Sequence, residues 1–184
     1  MDYLIYGAGG HARVLWDLVK TLGSGHRIMQ FIQDGDGPDT FQGIPCGPYA
    51  ADAHPESHLV LGIGNGQVRR DLSLQTQHPY TSLIHPSAYL AADVEIGPGS
   101  VVLAGAVIQS GARIGAHCII NALTTVDHDA IVGDFVTTYP GVYIGAESHI
   151  GTGTMLQPNA VVLRGAQSKD WSNVAPGAIL RSTD

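Results

Sequence analysis

From Ile84 onward an aliphatic side chain returns every sixth residue: Ile84, Leu90, Ile96, Val102, Ile108, Ile114, Ile120, Val126, Val132, Ile144, Ile150, Leu156 and Val162, interrupted only by Thr138. The phase carries on through Ser168 to Val174 and Leu180. Four residues after each aliphatic stands a small or moderately sized side chain, such as Ala106, Ala112, Cys118, Thr124 and Ala130. An α-helix turns once in about 3.6 residues and would scatter such a series around its circumference. A hairpin sheet would alternate with period two. A triangular coil of short flat strands fits: each side sends one aliphatic inward and places a small residue before its corner. Three hexads then make one coil, and a repeat of that length marks a solenoid. Glycine follows the aliphatic at Gly97, Gly115, Gly133, Gly145 and Gly151, which we assign to tight turns needing positive φ.

Residues 1–82 follow a different grammar. Tyr3-Leu4-Ile5-Tyr6 reads as a short buried strand, followed by Gly7-Ala8-Gly9-Gly10-His11 and a helical stretch with Val14, Leu15, Leu18, Val19 and Leu22 on one face. Gly23 is a natural stop. Arg27 to Ile32 is expected to be a second strand, QDGDGPD a loop, His58 to Ile63 a third strand, and Val68 to Gln75 a short helix. Strand–helix–strand order implies a small parallel sheet of Rossmann-like character.

The totals exclude several classes of function. Net charge is −7 with no run of Lys or Arg, which argues against wrapping nucleic acid or lying on an anionic membrane. No stretch approaches the ~20 apolar residues of a membrane span, so membrane insertion is not expected and the chain reads as cytoplasmic. Cys46 and Cys118 have no metal-type spacing and read as free thiols. The remaining histidines show no ligand pattern, so no metal is expected. His85 reads as structural, and His117 and His149 as exposed residues of the coil.

The hexads alone resemble the left-handed parallel β-helix of the hexapeptide-repeat acyltransferases. With YGAGGHA, an acidic residue after the second strand, LGIGNGQVRR and LIHPSA added in that order, nearly the whole chain resembles one subfamily. That subfamily contains the bacterial nucleotide-sugar N-acetyltransferases and the sialic-acid O-acetyltransferases. The resemblance implies an α/β nucleotide-sugar-binding domain over 1–82 and a left-handed β-helix acyltransferase domain over 83–184. It also implies a homotrimer with acetyl-CoA held between subunits. The activity expected is N-acetylation of a nucleotide-linked amino sugar of the UDP-4-amino-sugar type. O-acetylation of a sialic-acid-type sugar is the alternative, and a non-catalytic trimeric β-helix that binds without turnover is a further one.

Acyl transfer from a thioester needs a base for the proton of the attacking amine, and histidine is matched to that task near neutral pH. His128, flanked by Asp127 and Asp129, is the candidate, with Asp129 orienting the ring. The relatives usually carry Glu-His-Glu where this chain has Asp-His-Asp, which leaves open which acid reaches the imidazole. The resemblance further implies that Gly9, Gly10, His11 and Asp34 contact the nucleotide-sugar, with Gly64 close by and Asn121 against substrate or a neighbouring subunit. Gln33 stands where many relatives carry another acid. Glycines after a strand let backbone N–H groups approach phosphate at a helix N-terminus. One coil beyond His128 lies Ala146, whose small side chain leaves room for the thioester and whose N–H can face its carbonyl oxygen. Thr137, half a coil between, and Arg164, a further coil on, complete the expected acetyl-CoA contacts.

Overall fold

The computed structural model describes residues 1–182. The N-terminal part begins with β1 (Asp2–Tyr6), α1 (Gly10–Thr21) and β2 (Arg27–Ile32), and continues with β3 (Thr40–Phe41), β4 (Ile44–Gly47), β5 (His58–Leu61) and α2 (Gly66–Ser73). The sheet order is β3-β4-β2-β1-β5, parallel except for the β3–β4 hairpin. That hairpin was not expected. It turns on Gln42 and Gly43, both at positive φ (53° and 75°), as a two-residue hairpin demands. Its strands are too short, and too broken by Pro45, to leave a period. The third strand stops at Leu61 rather than Ile63, and α2 starts two residues early, because the Asn65 side chain accepts from the Val68 N–H (3.2 Å) and caps the helix.

From Leu83 the chain winds a three-sided, left-handed parallel β-helix. Two-residue strands stack in register eighteen residues apart: Val107 pairs Thr125, which pairs Tyr143. Strands at 83, 101, 119, 137, 155 and 173 form the first face, and those at 89, 107, 125, 143, 161 and 179 the second. The third face has four strands, at 95, 113, 131 and 149. At its far end Ser168 supplies no strand; its hydroxyl accepts from the Gly151 N–H (2.9 Å) beside a single bridge at Gln167.

From Leu90 on, the second residue of each strand points inward, whereas Ile84, in the first strand of the coil, is 36% exposed. Val102, Ile108, Ile114, Ile120, Val126, Val132, Ile144, Ile150, Leu156 and Val162 form one buried column with Ala106, Ala112, Cys118 and Ala130. Burial of each aliphatic stabilises by roughly 1.5–3 kcal/mol. Thr138 keeps its place in that column because its hydroxyl accepts from Asn121 N–H (2.9 Å) and lies 3.0 Å from Thr124 Oγ1.

The glycine assignment needs correction. Gly97, Gly115, Gly133, Gly145 and Gly151 are absent from the positive-φ residues. A Cβ at Gly115 would lie 2.6 Å from the Asp134 nitrogen, and one at Gly97 2.6 Å from the Ala116 nitrogen, so they are small because the next coil passes directly overhead. The left-handed corners fall two residues later, at Gly99, His117, Phe135, Glu147 and Gly153, and the same conformation recurs at Gly111, Asp129 and Gly165.

The N-terminal domain covers the first face. Leu83, Val101 and Leu103 share a buried cluster with Leu15, Leu18 and Val19 of α1 and with Tyr3 and Ile5 of β1. The second joint is Arg69, 1% exposed, whose guanidinium bonds carbonyls of both domains. The corner between second and third faces is left on the side opposite this cover.

Candidate functional site

Two separate sites emerge. The first is a cleft of about 470 Å³ at the carboxyl ends of β1 and β5, lined by Gly7 to His11, Gln33 and Gly62 to Gly64. Gly7 sits at φ +117°, where a Cβ would meet the Gly62 carbonyl oxygen at 2.9 Å, so strand and loop close tightly there. At Gly9 and Gly10 a Cβ would meet nothing within 4 Å, which leaves open space above the start of α1. No side chain caps that helix, so its first N–H groups are left without a capping partner where Gly9, Gly10 and His11 line the cleft. His11 has a buried Nε2 without a hydrogen-bond partner. Burial, and then the Arg69 charge, holds its pKa down to about 4, so the ring is neutral.

The structure brings Gly9, Gly10, His11 and Gly64 together. Asp34 stands just outside the lining and is held by the Tyr6 hydroxyl, which donates to its carboxylate. Burial and that bond push the Tyr6 pKa up. Asn121 does not join the cleft. It lies at the corner between first and second faces, in a groove of about 270 Å³ with Val14, Asp17 and Leu18 of α1, and its Oδ1 accepts from Ala122 N–H (2.8 Å).

The second site is the corner between second and third faces. His128 follows the strand Thr125–Val126 there, its side chain 48% exposed, with Nδ1 2.8 Å from the Asp129 carboxylate. Asp129 reaches it from a left-handed corner at φ 58°. Asp127 is engaged elsewhere: Oδ1 accepts from the His128 N–H (2.7 Å) and Oδ2 from the Tyr143 hydroxyl (2.8 Å). The bond to Asp129, helped by the charges of Asp127 and Asp129, outweighs the loss of hydration and raises the His128 pKa. The shorter acids therefore divide the work, Asp129 on the ring and Asp127 on the backbone.

Ala146, 4% exposed, sits one coil along, and the following Glu147 N–H donates to the His128 carbonyl (3.1 Å). Arg164 lies beside them but is paired with Glu147 at 2.5 Å. Thr137 faces the other way. It is 6% exposed, and its hydroxyl accepts from Arg69 Nη2 (2.8 Å) in the domain joint, so the expectation of a coenzyme contact there is corrected: Arg69 occupies it.

His117 also differs from expectation. It is 6% exposed, stacked on Phe135 (5.2 Å between centroids) and edge-on to Tyr80 (4.4 Å), because the α2 loop covers its corner. Arg69 went unnoticed in the sequence, where a paired Arg-Arg on a short helix reads as solvated surface; nothing in the period marks it. Among the described residues no group of three His, Cys, Asp or Glu is placed to hold a metal, and no helix is long and apolar enough to cross a membrane. Cys46 and Cys118 are free.

A family model described as the PglD N-terminal domain matches residues 2–75. The chain is 25% identical to the GDP-perosamine N-acetyltransferase of Escherichia coli O157:H7, over 89% of this chain and 83% of that one. It is similar to the acetyltransferase domain of PglB from Neisseria gonorrhoeae FA1090 at 30% identity and a TM-score of 0.72, covering 98% of this chain and 96% of that one. It is also similar to PerB from Caulobacter crescentus, solved with CoA and GDP-perosamine, at 26% identity and a TM-score of 0.87, covering 100% and 92%.

Proposed function

The chain belongs to the hexapeptide-repeat acyltransferases of the amino-sugar N-acetyltransferase family, and from that we propose that it moves the acetyl group of acetyl-CoA to the amine of a nucleotide-linked sugar, with His128 as general base. The observation that carries this reading is the His128–Asp129 pair on an open corner, directly below a small residue. Asp129 accepts the Nδ1–H, which leaves Nε2 unprotonated toward the substrate. The amine lone pair attacks the thioester carbonyl carbon while Nε2 takes the amine proton. The C–S bond then breaks, and the proton passes to the departing thiolate. No covalent acyl-enzyme is needed. The Ala146 N–H faces the oxygen on which negative charge develops. Arg164, once drawn from Glu147, meets a coenzyme phosphate.

The nucleotide-sugar lies in the N-terminal cleft, with its diphosphate over the start of α1. In one chain the cleft lies beside the His117–Phe135 corner, to which Arg69 ties its Ile63–Gly64 wall, and His128 lies on a different corner of the coil. Assembly of a homotrimer brings the cleft of one copy to the His128 corner of the next, which is why the active unit is the trimer. The likeness to a GDP-perosamine N-acetyltransferase and to a structure solved with GDP-perosamine supports testing GDP-linked amino sugars beside UDP-linked ones.

The test is release of free thiol from acetyl-CoA in the presence of GDP- and UDP-linked amino sugars, with free sialic acids as a third arm. Turnover with an amine-bearing nucleotide-sugar, lowered on the order of 10²–10⁴-fold in H128A, is expected. Undiminished turnover in H128A, or turnover with sialic acids alone, contradicts the reading.

A further inference from the structure

Arg69 is a cation with no anion. Its Nε donates to the His117 carbonyl (2.9 Å), Nη1 to those of Ile63 (2.9 Å) and Gly64 (2.8 Å), and Nη2 to Phe135 carbonyl (2.8 Å) and Thr137 Oγ1 (2.8 Å). Every donor is satisfied, yet every acceptor is neutral. Among the described residues no carboxylate forms an ion pair with it. A buried charge normally persists beside a counter-charge, because carbonyl dipoles solvate it without cancelling it. The groups facing it are no remedy. His11 and His117 are neutral, the Cys118 thiol is pushed up to about 12 by burial, and Asp134, whose carboxylate accepts from the Ala116 N–H (2.7 Å), makes no ion pair with it.

Ile63 and Gly64 are the wall of the nucleotide-sugar cleft. Arg69 therefore stands directly behind that wall and pulls two of its carbonyl oxygens backward, away from any anion in the cleft. We propose that Arg69 is a positioning residue for the substrate diphosphate: its counter-charge is the ligand itself, and the two withdrawn carbonyls leave the cleft presenting donors and a positive field. This rests on the cleft being the nucleotide-sugar site. A purely structural clamp would hold the domains together equally well, but it would not favour a diphosphate over the bare nucleoside.

Calorimetric titration of the full chain with GDP and UDP, and with guanosine and uridine, measures that preference. In R69M the diphosphates are expected to weaken about 10- to 100-fold while the nucleosides hold, and R69K, which restores the charge, is expected to recover most of the loss. A folded R69M that keeps the full diphosphate preference, or an R69K as impaired as R69M, overturns the proposal. The His11 ring, followed by NMR in both chains, gives a second readout: burial alone keeps it low, so the test is the change, with the midpoint expected to rise from about 4 in the native chain toward the ordinary value in R69M, and an unmoved midpoint overturning the uncompensated cation. If neither GDP nor UDP binds the native chain, the reading of the cleft fails, and the His11 titration still decides whether Arg69 projects its charge there.

Discussion

An exposed imidazole titrates in the range where a base is useful, and what matters is which way its neighbours move it. Asp129 moves His128 upward. The base form is therefore gained as pH rises through a value above the ordinary one, and kcat/KM should climb through that raised pKa. In D129N the climb is expected at lower pH and to a lower plateau, since the ring is less basic and less well oriented; an unmoved profile contradicts the pairing. His11 and His117 move the other way, both held to about 4. The unfolded chain takes up protons at these rings from about pH 6.5 downward, whereas the folded chain refuses them until about pH 4. Their contribution to stability is complete above the unfolded value and is lost as pH falls through that window. The thermal midpoint should drop by several degrees between pH 7.5 and pH 5, and by less in H117F, which keeps the stack on Phe135; a flat dependence contradicts this.

At the scale of the coil, two kinds of glycine look alike in the sequence and differ in physics. Gly115 is crossed by the Asp134 backbone, and a Cβ there would sit 2.6 Å from its nitrogen. Gly165 has φ +68° with nothing within 4 Å of a Cβ. G115A should cost about 3 kcal/mol through overpacking and G165A about 1 kcal/mol through the left-handed backbone. Equal losses in chemical denaturation would contradict the distinction. The same pair shows how far the sequence could be read. Inward aliphatics such as Val102 and Ile114 were legible because a repeating coil needs the same shape at the same step. The corner phase was not, since His117, Asp129 and Phe135 adopt the left-handed conformation without being glycine. The β3–β4 hairpin was hidden because two-residue strands leave no period. The Asp-His-Asp run was legible as a candidate base with acids at hand, whereas the buried place of Arg69 depends on residues 48 to 68 positions away. No local pattern records such contacts.

At the scale of the whole molecule, the N-terminal domain lies on the first face and His128 on the corner opposite. The proposed reaction joins them across two copies, and light scattering should then give the mass of a trimer. The sharper measurement uses two inactive variants. G9D fills open space at the mouth of the cleft, at a φ of −103° that Asp tolerates, and sets a carboxylate against the diphosphate. H128A leaves the cleft whole and removes the base. Each alone should be nearly silent. Co-expressed in equal amounts, they should assemble trimers of which about three in four are mixed, each mixed trimer pairing an intact cleft with an intact His128 from the next copy at one site in three, about a quarter of all sites. Acetyl transfer recovered to roughly that fraction of the native rate is the expected result. Mixed trimers as silent as either parent would mean that cleft and base serve each other within a single chain, and would contradict the account.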